Sequence, residues 1–172
     1  DSEWVRKTMS ITVWKLQKDL QGISKIEMEA PVRKKAIATT RSFDYTYDDI
    51  NYIKERISTF ATICAEKLRR QQSSCHMVMV MLRSDSHKKN VEQHRGSRMV
   101  SFPYPTNSSL LISQQAVKAV EKLYKKGIKY KKAGVIVTGL VPTDNYQLDL
   151  FNAEHPKHKP LMSAIDNLNK KY

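Results

Sequence analysis

Six segments between residues 35 and 140 read in the order β-α-β-β-α-β, and no other feature of the chain restricts its fold as strongly. Residues 35–43, KAIATTRSF, have the Ile and Thr content of a strand. Over residues 48–71, Ile50, Ile53, Ile57, Phe60, Cys64 and Leu68 recur every three or four positions, which is one face of a helix. Asp48 and Asp49 suit its start, and Lys67, Arg69 and Arg70 suit its end. Residues 75–83, CHMVMVMLR, read as a strand buried on both faces or tightly packed on one. A basic loop over 84–96 leads to residues 97–104, SRMVSFPY, where Pro103 and Pro105 argue for a strand end or a sheet edge. Residues 112–126 turn Ile112, Ala116, Val120 and Leu123 inward, and Gly127 closes that helix. Residues 129–140 form a last strand around GVIV. The order is the ferredoxin-like, split β-α-β arrangement. It predicts an α+β fold: a four-stranded antiparallel sheet, two helices on one face, and the other face free to meet a ligand.

The flanks read differently. Residues 2–21 predict one helix, with Val5, Met9, Val13, Leu16 and Leu20 on a stripe, Ser2 suited to cap it and Gly22 to stop it. Trp4, Ile11 and Trp14 lie off that stripe, so the helix needs something to pack on. The chain starts at Asp1, and we expect it to be a piece of a longer protein whose upstream part supplies that partner. A connector follows, broken at Pro31. Past Pro142 the chain reads as a tail, in which Leu161, Ile165 and Leu168 predict a short amphipathic helix over 159–170.

Charge narrows the class of partner. Thirty Lys and Arg against seventeen Asp and Glu leave a net charge of +13, which favours a polyanion, nucleic acid first. The cations cluster. Arg33, Lys34, Lys35 and Arg41 flank or lie on the first strand. Lys88, Lys89, Arg95 and Arg98 lie in the central loop and at the start of the third strand, and Lys125, Lys126, Lys129, Lys131 and Lys132 lead into the fourth. Such clusters bind phosphates through counterion release and carry no base information.

Other chemistry is poorly supported. Cys64 and Cys75 make neither a disulfide framework nor, with His76, a paired metal-ligand pattern. No Walker loop, HExxH or Ser-His-Asp arrangement is present, and no apolar run approaches a bilayer span. Phe43, Tyr45, Tyr47, Phe102 and Tyr104 are available to stack on bases, as in RNA-recognition modules of this topology, but core packing suits most of these rings better. A stand-alone RNA- or DNA-binding module is the alternative reading. A small enzyme is a third, with no convergent site to support it.

Gln147-Leu148-Asp149-Leu150-Phe151 places large apolar side chains in a polar tail, where they either pack back or anchor a partner. Together with TRSFDY at 40–45, ICAEKLRRQ at 63–71, YKKAGVIVTGLVP at 130–142 and the closing LMSAIDNLNKKY, this segment resembles the UmuC-type, Y-family translesion DNA polymerases. The resemblance implies a last thumb helix at 1–22, a linker at 23–36, a DNA-binding little finger at 37–141 and a tail with a clamp-binding motif at 142–172. Thr40, Arg41 and Ser42 match the family's phosphate-contacting strand, and Lys35, Ser97, Arg98, Lys131 and Lys132 are further candidates by position. Gln147, Leu148, Asp149, Leu150 and Phe151 look like the motif that binds the bacterial sliding clamp. The parent would be an SOS-response DNA polymerase using Mg2+, cytoplasmic and nucleoid-associated. Its metal-binding carboxylates would lie outside this piece, which would hold no catalytic residue and no cofactor. The implied partners are primer-template duplex and the clamp, with UmuD-type and RecA proteins as further possibilities.

Overall fold

The computed structural model describes residues 2–25, 28, 30, 32–88, 91–143 and 157–171. It divides into two compact units, Asp1–Arg33 and Lys34–Tyr172. In the first, helices α1 (Ser2–Thr8) and α2 (Ile11–Leu20) replace the single helix expected over 2–21. The break is at Ser10, whose backbone is extended (φ −166°, ψ 164°) and whose hydroxyl accepts the Val13 N–H at 3.3 Å. A serine hydroxyl offers the backbone this alternative to continuing the helix. Ser2 Oγ accepts the Trp14 indole N–H at 2.9 Å. The stop at Gly22 is as expected. Its φ of 77° is the left-handed value glycine tolerates. The bonds Gly22 N–H to Asp19 O and Ile23 N–H to Lys18 O then close α2 in a Schellman turn. Trp4, Met9, Ile11, Leu16 and Leu20 all remain exposed. The expected break at Pro31 lies outside the described residues.

The second unit builds the sheet from β1 (Ala36–Tyr47), β2 (Ser73–Ser84), β3 (Arg95–Thr106) and β4 (Tyr130–Pro142), all antiparallel neighbours in the order β1-β4-β2-β3. Helix α3 (Ile50–Arg70) joins β1 to β2, and α4 (Ser109–Leu123) joins β3 to β4. Both crossovers are split: β4 lies between β1 and β2, and β2 lies between β3 and β4. The two helices pack on each other and on the same sheet face. β2 and β3 run one or two residues beyond their sequence-based bounds at both ends, while β1 and β4 start one residue late and end four and two residues beyond. β3 keeps Pro103 and Pro105 because it is an edge strand, where a missing N–H leaves no ladder bond unmade.

Alternation sets the two faces. Ile37, Thr39, Val78, Val80, Leu82, Ala133, Val135 and Val137 point to the helices and are buried. They meet Ile53, Ile57, Phe60, Ala61, Cys64, Ala65 and Leu68 of α3 and Ile112, Ala116, Ala119 and Val120 of α4. Cys64 fills this core and donates to Thr39 Oγ1 at 3.3 Å, while burial pushes the Cys75 thiol up to about 12. Both are inert, packed thiols.

The final helix, α5 (His158–Lys171), forms close to its expected bounds but presents a different face. Met162 is the buried residue, and Leu161 and Leu168 are exposed. Arg69 at the end of α3 selects that face. Its guanidinium donates to both Asp166 carboxylate oxygens at 2.6 Å, and to Asn107 O and Ser109 Oγ at 2.8 and 2.9 Å. This bidentate bond orients Asp166, and with it Met162 four residues earlier, toward α3 and α4.

Candidate nucleic-acid interface

The strand register lays out the face away from the helices as four rows of side chains. Starting from one end, Ser42, Lys132, Arg83 and Arg95 are cross-strand neighbours. Next come Thr40, Gly134, Met81 and Ser97, then Ala38, Ile136, Met79 and Met99, then Ala36, Thr138, Met77 and Ser101. No acidic residue occurs in these rows. Among the described residues this face is open: Ala36, Ala38, Ser42, Arg95, Ser97, Met99 and Ser101 are exposed, and the methionines of β2 are half-buried. The alternative of a tightly packed single face therefore holds for residues 75–83, with Val78, Val80 and Leu82 inward and Met77, Met79 and Met81 outward.

Neighbouring strands lie about 4.8 Å apart, so Lys132, Arg83 and Arg95 form a cationic bar about 10 Å long across three strands. Several bonds hold it in place. Ser84 Oγ donates to Gln93 Oε1 at 2.7 Å and accepts the His94 N–H at 2.9 Å. The Gln93 amide donates to Asp85 O and Lys88 O at 2.9 and 2.8 Å, fastening the hairpin loop. Tyr130 OH sits 3.0 Å from His94 Nδ1 and accepts the Lys125 N–H at 3.0 Å, which pins the start of β4 two residues before Lys132. Burial, followed by the Lys125 charge, holds His94 below the usual imidazole value, so it enters this node neutral at physiological pH. Thr40 lies tightly against Gly134: a Cβ there would stand 2.9 Å from Thr40 Cβ and 3.2 Å from its Cα. The small residue is what lets β1 approach β4 this closely.

The residues singled out from sequence do not all meet. Thr40, Ser42, Ser97 and Lys132 share the open face. Arg41 pairs with Ala133, and Arg98 pairs with Val80, so both side chains leave the two sheet edges on the helix side. Arg98 lines a groove with Lys118 and Lys122 of α4. Lys131 falls in the register shift between Arg83 and Ser84, and its Nζ donates to Asp44 O at 2.9 Å. Lys35 precedes β1 at the end opposite the cationic bar. The bar also contains Arg83, which was not singled out. Its signal was the alternation Met77, Met79, Met81, Arg83, which puts the arginine in phase with the outward methionines. Lys89 and the segment Gln147–Phe151 lie outside the described residues.

Among the described residues no group of three or more His, Cys, Asp or Glu is placed to hold a metal ion. No helix among them is long and apolar enough to cross a membrane.

The C-terminal domain of the impB/mucB/samB family matches residues 34–150. Protein UmuC of Salmonella typhimurium strain LT2 is 29% identical over 175 residues, covering 99% of this chain and 41% of that protein. Protein ImpB of Salmonella typhimurium is 28% identical over 172 residues, again 41% of its length, and Protein MucB of the same organism is 26% identical over 174. The chain thus spans about two fifths of the length of these relatives. Among solved structures, the insertion ternary complex of Dbh DNA polymerase shares the fold at a TM-score of 0.52 and 14% identity, over 82% of this chain and 39% of that one. Over most of its length, then, and with the sheet and helices described above, this chain belongs to the impB/mucB/samB family and carries that family's C-terminal domain.

Proposed function

We propose that this chain is the DNA-gripping and clamp-binding region of a UmuC-type, Y-family lesion-bypass polymerase, with the open sheet face on primer-template duplex. One observation carries the DNA reading. Lys132, Arg83 and Arg95 form a cationic bar on an open face, and the four cross-strand rows described there hold no acidic side chain. Cations in a row can follow a phosphate strand, and the hydroxyls of Thr40, Ser42 and Ser97 add neutral donors. Family membership supports the same reading, since the relatives include Protein UmuC. The parent's nucleotide transfer, its Mg2+ and its place in the SOS response belong to this proposal, as do UmuD-type and RecA partners.

The RNA-module alternative loses two of its five candidate rings, although Tyr45 stays 75% exposed. Phe43 and Phe102 are 7% and 9% exposed and belong to the core. Phe43 packs edge-on against Tyr47 and Tyr52. Bases have no access to those rings without unfolding the core.

Two experiments test the reading. Fluorescence anisotropy of the full chain on a labelled primer-template should show affinity falling steeply as salt rises; salt-insensitive binding, or none, refutes the DNA assignment. For the tail, Gln147, Leu150 and Phe151 together changed to Ala should abolish retention on an immobilised sliding clamp and leave duplex affinity within about twofold, since none of the three is charged. Undiminished retention refutes the clamp assignment.

A further inference from the structure

Arg98 leaves β3 on the helix side, where duplex on the open face does not reach it. There it lines a groove between β3 and α4, with a volume of about 470 Å³, together with Lys118 and Lys122. All three cations are exposed. Among the described residues none of them is held in an ion pair. The one acid among the lining residues, Glu121, is already engaged by Lys54 at 2.7 Å. The groove is thus a second concentration of positive charge, separate from the bar.

The groove begins where the cationic bar ends. The bar crosses the strands from Lys132 to Arg83 to Arg95, and β3 is the edge strand, so Arg95 stands at the margin of the sheet. Arg98 follows three residues on, about 10 Å further along the same strand. Gly96 lies between them and pairs with Leu82, so its missing side chain would face the helices. A Cβ there would stand 2.6 Å from Leu123 Cδ1. That contact lays the last turn of α4 over the start of β3. Lys122 is therefore the lysine nearer the bar, and Lys118 lies one helical turn, about 6 Å, beyond it. From Arg95 the cations continue around the sheet edge and then along it.

The occupant has to be anionic, narrow and able to bend. Duplex on the open face does not follow this path, because it is stiff over about 150 base pairs, and the groove has the volume of a small-ligand site. An unpaired strand bends at each nucleotide. Its phosphates suit the three cations, and Met99 and Val100 give its sugars and bases an apolar wall. An acidic peptide matches the charge but has no link to the bar. An unpaired strand continues from the end of the bound duplex, so it reaches the groove at high local concentration.

We propose that Arg98, Lys118 and Lys122 form a second binding site, which takes the unpaired single-stranded extension of a primer-template as it passes over the β3 edge. This site rests on the duplex-binding role proposed above.

The test compares blunt duplex with the same duplex carrying an unpaired extension of about six nucleotides, a length that single-strand grooves cover. By fluorescence anisotropy the full chain should bind the extended form at least about tenfold more tightly. The extension should steepen the slope of log affinity against log salt by about two, from three contacts at about 0.7 each. The variant Arg98→Gln, Lys118→Gln, Lys122→Gln should bind blunt duplex within about twofold of the unmodified chain and lose the gain from the extension. A variant of equal charge, Lys7→Gln, Lys15→Gln, Lys159→Gln, should keep that gain. Free oligothymidylate should displace the extension at lower concentration than polyglutamate of equal charge; the reverse order overturns the assignment in favour of an acidic peptide. Equal affinity for blunt and extended duplex, both salt-dependent, overturns the groove site and leaves the duplex grip standing. A gain that survives in the groove variant, or vanishes equally in the control, also overturns it. Failure to bind either duplex in a salt-dependent way overturns both.

Discussion

At the level of single residues, Gly134 and Arg69 are tightly constrained. A Cβ at Gly134 would press on Thr40, including its Cα, which cannot rotate away. Gly134→Ala should therefore cost about 1–3 kcal/mol in urea unfolding through overpacking, and should weaken duplex binding by displacing Thr40 from the open face. Arg69 bonds Asp166, Asn107 O and Ser109 Oγ at once. Arg69→Ala leaves those acceptors unpaired and should cost about 2 kcal/mol. The same contact makes a pH prediction. The Arg69 guanidinium holds the Asp166 carboxyl below its usual value. A carboxylate whose folded-state value is depressed stabilises the fold above its unfolded value, near pH 3.9, and that contribution is lost as pH falls through the lower folded value. Asp166→Asn should flatten the acid limb of the stability profile below about pH 4 and lower stability at pH 7. An unchanged acid limb would mean the pair contributes nothing in solution.

Among the elements, α5 separates what the sequence showed from what it could not. Its existence and bounds followed from its period. Its buried face did not, because Leu161, Ile165 and Leu168 make as good a stripe as Met162 and Asp166 until Arg69 is placed opposite. Met162→Ala should destabilise by about 2–3 kcal/mol, whereas Leu161→Ala and Leu168→Ala should stay within about 0.5 kcal/mol; the reverse pattern in thermal melts would refute the docking described. The six-element series and the larger core side chains of α3 and α4 were legible because period and burial agree there, whereas Ala61, Ala65, Ser109 and Ala119 are buried without standing out and Ile50 and Leu123 are only half-buried. The break at Ser10 was not, since a stripe running through a polar residue does not reveal that its hydroxyl caps the next turn. The face of each basic residue was also hidden. It depends on register, so Arg41 and Arg98 leave the edges on the helix side, while Arg83, at the end of an apolar run, joins the open face.

On the scale of the whole molecule, a positive chain of +13 would bind polyanions whatever its fold. What the structure adds is position: part of that charge is gathered into a bar on an open face. The central claim is that this bar, and not the diffuse surface charge, holds duplex phosphates. Its most direct measurement is the slope of log affinity against log salt for the full chain, for Arg83→Gln with Arg95→Gln and Lys132→Gln, and for a control with Lys7→Gln, Lys15→Gln and Lys159→Gln. Each phosphate contact adds about 0.9 to the slope. The account predicts that the bar variant loses about two to three units of slope and the control less than one. Equal losses in the two variants, or an unchanged slope in the bar variant, would contradict it.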